Sequence, residues 1–150
     1  MSGIIGSVGS KSGVIGETEL DYETGTWIVT CQNSVSLYAD YRTGAYTKIG
    51  RMVTCGGQIR IDNSQGGADL IIHLPFTSAP TSAQQSDFYT CSVRAYTLNI
   101  NSDVLYVMGF VSASTTQMQI VGVRDNLSAT VQPATNNAYI MFSMTYPVAE

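Results

Sequence analysis

Charge is what this sequence has least of. Of its 150 residues only 7 are Lys or Arg and 11 are Asp or Glu, a formal net charge of −4, with one histidine and one tryptophan. The scattered cations form no basic stripe able to hold a phosphate backbone, which argues against nucleic acid as a partner. Three cysteines, Cys31, Cys55 and Cys91, cannot all pair and have no Cys-x-x-Cys spacing. They read as small buried hydrophobes of a protein assembled in a reducing cytoplasm. No apolar run approaches the roughly twenty residues that cross a bilayer, so no membrane insertion is expected. No window holds an apolar 3.6-residue period for more than about two turns, which leaves little room for helix.

Catalytic vocabulary is equally sparse. The sequence has no Gly-x-Ser-x-Gly elbow, no phosphate-binding glycine loop and no His-Glu-x-x-His. The single histidine, His73, lies in Leu70-Ile71-Ile72-His73-Leu74-Pro75 and reads as a strand residue rather than a base. The isolated Asp62, Asp69, Asp87, Asp103 and Asp125 mostly border turns, where aspartate is a natural choice. No catalytic residue, metal or cofactor is therefore expected, and no enzyme.

What the chain does have is length for one domain with a proper core, and a surface that must be covered by Ser, Thr, Asn, Gln and Gly. Residues 1–16 form a unit of their own, in which Ile4, Ile5, Val8, Val14 and Ile15 are spaced by glycine and serine. They lack the early positive charge and unbroken apolar run of a secretory signal. Too aliphatic for a solvated tail and too glycine-rich to fold alone, they read as an extended anchoring arm, with roughly 50 to 60 Å of reach. Next, Glu17, Glu19, Asp21 and Glu23 place four carboxylates at alternate positions, a solvated acidic edge that discourages strand-to-strand aggregation.

From Thr26 the chain reads as short strands punctuated by turns such as Arg42-Thr43-Gly44, Asp62 to Gly67 and Asn136-Asn137. Strands are expected near 26–31, 34–39, 45–49, 52–61, 69–74, 88–98, 104–111, 117–123 and 138–147. The clearest is the longest in pattern: Val53, Cys55, Gly57, Ile59 and Ile61 share one face, and Met52, Thr54, Gly56, Gln58 and Arg60 the other, after a glycine kink at Gly50. Many evenly spaced strands argue for an all-β domain over 17–150, a single antiparallel β-sandwich of jelly-roll-like size. Val104 to Val111 and the final strand are apolar on both faces, so Tyr106, Met108, Phe110, Phe142 and Met144 are the candidate oligomer interface. Exposed aromatics read sugars, and Tyr38, Tyr41, Tyr46, Phe88, Tyr89 and Tyr96 are available, with loops at 62–69 and 77–87 as a possible rim for a host surface glycan.

Two segments carry a family resemblance: Asp21-Tyr22-Glu23-Thr24-Gly25-Thr26-Trp27, and Tyr46-Thr47-Lys48-Ile49-Gly50-Arg51-Met52-Val53. In spacing and vocabulary they resemble the C-terminal β domains of bacteriophage tail fibres and related small virion proteins. The resemblance implies a non-enzymatic virion surface protein, assembled in the host cytoplasm and usually a homotrimer. Because only the short arm precedes the domain, a capsid decoration protein clipped to the major capsid protein is the expected form, with a receptor-binding fibre tip as the alternative. The chain departs from the family at Thr24, where a second Glu is common, and at Ile28-Val29, which replaces Thr-Pro. Without that proline the strand is expected to run on through Cys31 and to pair differently.

Overall fold

The computed structural model describes residues 21–149 apart from 33–34, 65–67, 81–87, 101–102 and 126. The anchoring arm, Ile4, Ile5, Val8, Val14 and Ile15 included, lies outside the described residues. Within them the protein is all-β, with strands β1 (Tyr22–Ile28), β2 (Val35–Ile49), β3 (Met52–Ser64), β4 (Ile71–His73), β5 (Phe88–Tyr96), β6 (Val104–Ser112), β7 (Gln117–Arg124), β8 (Leu127–Val131) and β9 (Tyr139–Pro147). Every pairing is antiparallel.

In place of two stacked sheets, the strands join in one hydrogen-bonded order, β1-β2-β3-β9-β5-β6-β7-β4, with β8 also on β7. The pivot is β5, whose first half (Phe88 to Cys91) pairs β6 and whose second half (Ser92 to Tyr96) pairs β9. The sheet therefore curls, and one concave face collects the core. Val53, Cys55, Ile59 and Ile61 of β3 are all buried there, as the alternation predicts, with Ile140, Phe142, Met144 and Tyr146 of β9 and Met118 and Ile120 of β7.

The two ends of the strand order meet. After Val29 the chain leaves β2 and runs along β4: Gln32 N donates to Ile71 O at 2.9 Å and His73 N to Thr30 O at 2.8 Å, around the Cys31–Ile72 bridge. The segment following Trp27 thus stays extended through Cys31 but changes partner, which the missing proline permits. Trp27 fastens the seam. Its Nε1 donates to His73 O at 3.3 Å, and its ring lies over Gly44 and edge-on to Phe142 at 6.3 Å.

That use of Gly44 corrects one expectation. Arg42-Thr43-Gly44 is no turn; β2 runs unbroken through it, and a Cβ at Gly44 would stand 2.3 Å from the indole. Gly50 is likewise a turn rather than a kink. With φ 54° it fills the first position of the two-residue loop between Ile49 and Met52, where a hairpin favours glycine. β8 went unexpected although Leu127-Ser128-Ala129-Thr130-Val131 alternates: the run is only five residues long and its central apolar position is an alanine.

The fit of Trp27 over Gly44 is testable by a double-mutant cycle in urea. Gly44→Ala should cost about 2 kcal/mol by overpacking, and Trp27→Ala about 3 kcal/mol. In the Trp27→Ala background the Gly44→Ala cost should largely vanish, a coupling of at least about 1 kcal/mol. Additive costs would show that the ring does not rest on that glycine.

Candidate functional site

The curled sheet has two outer faces of opposite character. The first covers β6, β7 and β8. Here Tyr106 pairs with Val123, Met108 with Val121, and Val121 with Val131, so apolar side chains sit side by side across three strands. Tyr106 is 56% exposed, and Leu105, in an irregularity of β6, 66%. Met108, Phe110, Val121, Ala129 and Thr90 line a shallow hollow of about 240 Å3. Of the five expected interface residues, Tyr106, Met108 and Phe110 belong to this face. Phe142 and Met144 do not: at 5% and 4% exposure they point into the core, because β9 is central and its even-numbered residues face inward.

The second face covers β2, β3, β9 and the far half of β5, and is polar, aromatic and cationic. It is organised by a large bulge. Leu37 pairs with Ile61 and Arg42 with Ile59, so Tyr38, Ala39, Asp40 and Tyr41 of β2 stand opposite the single Arg60 of β3. Bulges of this kind re-aim side chains. The Arg60 guanidinium lies 4.3 Å from the Tyr38 ring centroid, 5.0 Å from that of Tyr139 and 6.0 Å from that of Tyr41. Tyr41 and Tyr139 meet edge to face at 5.6 Å.

Asn137 holds this cluster together. Its Oδ1 accepts from Arg60 Nη2 at 3.0 Å and from Tyr38 OH at 3.3 Å, while its own backbone, at φ 64°, turns the chain into β9. Arg60, Tyr139 and Tyr96 follow one another across β3, β9 and β5 in register, and Arg94, on β5, stacks over Tyr96 at 4.5 Å. Beside them Ala45, Gly56, Ser143 and Ser92 form a row of small residues across four strands. A hollow of about 310 Å3, bordered by Ser92, Arg94, Met141 and Ser143, opens there.

Of the aromatics singled out for sugar binding, Tyr38, Tyr41 and Tyr96 are brought to this face. Tyr46 and Tyr89 pack against the core instead, and Phe88 lies in β5. The expected loop rims fall partly on 65–67 and 81–87, outside the described residues. Sequence reading missed Arg60, Arg94, Asn137 and Tyr139. Arg60 and Tyr139 sit at outward positions of alternating strands, but only the bulge and the β3–β9 pairing join them.

Several other ionisable groups serve the scaffold. Asp21 pairs with Lys48 on β2 and Asp103 with Arg124. Tyr46 OH donates to Glu23 Oε1 at 2.5 Å, which raises the phenol pKa. Glu17 and Glu19 lie outside the described residues. His73 contributes its backbone to the seam. All three thiols are free; burial pushes Cys31 and Cys55 up to about 12 and Cys91 to about 11. Among the described residues no three of His, Cys, Asp and Glu gather as metal ligands. The chain matches no family model, no curated protein and no solved structure.

The buried thiols set a pH dependence. Unfolded thiols ionise near 9, whereas folded Cys55 and Cys91 keep their protons to about 12 and about 11. Above pH 9 the unfolded state therefore releases protons the folded state retains, and stability falls as pH rises, by up to about 1.4 kcal/mol per pH unit for each thiol. Burial raises the Tyr146 phenol as well, which extends the loss to higher pH. Urea midpoints at pH 8 and 10 should show the drop, and Cys55→Ala and Cys91→Ala should each shrink it. A pH-independent midpoint would mean the thiols are solvated.

Proposed function

We propose that the protein is a structural component of a virus particle, displayed on its surface, that works by assembly and binding and not by catalysis. The observation that carries this reading is the apolar outer face of β6, β7 and β8, where Leu105 and Tyr106 stand exposed beside Met108 and Phe110. An apolar patch of this kind on a folded domain marks an interaction site. A second copy is its natural cover. The other outer face carries arginine, serine, threonine and tyrosine hydroxyl groups, and only the β6–β8 face matches another in polarity. The form we favour is a homotrimeric capsid decoration protein, with Ile4, Ile5, Val8, Val14 and Ile15 of the arm docked on the major capsid protein. The resemblance of residues 21–27 and 46–53 to virion β domains supports the location.

A second reading, a fibre tip that binds a host surface receptor, is favoured by the Tyr38–Arg60–Tyr139 cluster. Aromatic rings and arginine are the side chains that most often dominate recognition surfaces.

Two measurements separate the readings. Mass spectrometry of purified particles should find one copy per capsid subunit, or one per few. A handful of copies per particle would place the protein at the tail or a vertex and displace decoration in favour of the tip. In sedimentation the full chain should run as a trimer, and Met108→Asp or Phe110→Asp as a monomer with an unchanged far-ultraviolet spectrum. A wild-type monomer would remove this face as the assembly surface.

A further inference from the structure

We propose that the tyrosine and arginine surface around Arg60 and Arg94 is a binding site for an acidic saccharide, one whose sugar rings carry a carboxylate. This deepens the receptor reading but requires neither a particle nor a trimer. The first argument is charge. Lys48 and Arg124 are each neutralised by an aspartate, whereas no carboxylate lies within ion-pair distance of Arg60 or Arg94 among the described residues. The acidic side chains nearest in sequence on these strands are Asp40, in the bulge, and Asp62, which accepts from Ser36 Oγ at 3.5 Å. In a chain of net charge −4, Arg60 and Arg94 are two cations on one face with no ion-pair partner among the described residues.

The second argument is preorganisation. Arg60 is fixed between tyrosine rings and by Asn137, and its Nε is buried with no acceptor. A guanidinium held beside aromatic rings loses little freedom on meeting a planar carboxylate, which it can grip with two parallel N–H···O bonds.

The third argument is the surface on which those arginines stand. Tyr96 is 44% exposed and Tyr41 39%, so aromatic surface is available to the CH face of a sugar ring. The exposed hydroxyls of Ser92 and Ser143 border the hollow beside Arg94, where ring hydroxyls would find partners. The flanking rows supply more: Thr54 and Thr145 share a hydrogen bond of 2.9 Å at the face's far side. Two cations are too few to follow a nucleic-acid backbone, and the face lacks the apolar centre of a protein interface.

The test is a two-dimensional amide NMR titration of the full chain, including arginine Nε–H signals, with oligogalacturonate, hyaluronan oligosaccharide and sialyllactose. Each is compared with its carboxyl-reduced or neutral counterpart. At least one acidic probe should shift signals from 38–42, 60, 94–97 and 137–143, and its counterpart should bind at least about 10-fold more weakly. Arg94→Gln, at an exposed site, should weaken binding by about 10-fold with the urea midpoint unchanged, and Arg60→Lys, which keeps the charge but not the fork, should weaken it by about 10-fold with the far-ultraviolet spectrum unchanged. The proposal is overturned if no acidic probe binds, if neutral counterparts bind equally well, or if shifts map to Tyr106, Met108 and Phe110. Tighter binding of a single-stranded oligonucleotide would also overturn it. Copy number on particles decides the receptor reading separately, so either can fail alone.

Discussion

The fold depends on a seam between strands that stand at opposite ends of the sheet order. A curled antiparallel sheet has one interior, and its burial of Ile59, Ile72, Ile120 and Ile140 is complete only if the β1 edge and the β4 edge stay together. Two backbone hydrogen bonds, which together make the Cys31–Ile72 bridge, hold them, and each would be exposed to water if it stood by itself. Trp27 makes them durable. Its ring spans from β1 over Gly44 of β2, and its indole N–H reaches the carbonyl of His73 on β4. A single side chain thereby ties three strands. It also covers backbone edges that would otherwise invite pairing with other chains.

The same economy shapes the two outer faces. Because β5 pairs β6 through one half and β9 through the other, a single strand passes from the apolar face to the tyrosine and arginine face. Residues four apart on β5 thus serve different surroundings: Thr90 lines the apolar hollow and Arg94 stacks on Tyr96. A sheet with one wet and one apolar outside is unusual for an antiparallel domain that has already buried its inner face. The asymmetry gives one small chain two outer surfaces of different chemistry.

Much of this was legible residue by residue. The alternation of β3 gave the correct inward set, β6 announced its apolar exterior at Tyr106, Met108 and Phe110, and His73 reads as the strand residue it is. Three things were hidden for physical reasons. Gly44 looks like a turn because glycine usually marks one, yet here it is a flat seat for an aromatic ring more than fifteen residues away. Phe142 and Met144 belong to a strand with mixed apolar faces, and which face is inward depends on β9 lying between β3 and β5, a pairing no local pattern encodes. The Arg60 cluster depends on a bulge, and a bulge is a mismatch between two strands, invisible until they are paired.

The relation between the two faces bears on how a weak site would work. Sugars held by a few tyrosine rings and one or two arginines bind loosely, since much of the interaction replaces hydrogen bonds already made to water. Copies joined through the β6–β8 face would each keep the β2–β3–β9 face uncovered, because the two faces share no residue. Several loose sites fixed on one assembly then act on a polymeric ligand as linked events, and avidity can exceed single-site affinity by roughly 10²-fold to 10⁴-fold with no new contact. A monomeric version of the same surface would gain nothing from a repeating ligand. Under the proposed assembly, the apolar face is therefore the physical condition for the polar one: joining copies would convert a shallow, hydroxyl-lined surface of modest affinity into a multivalent one.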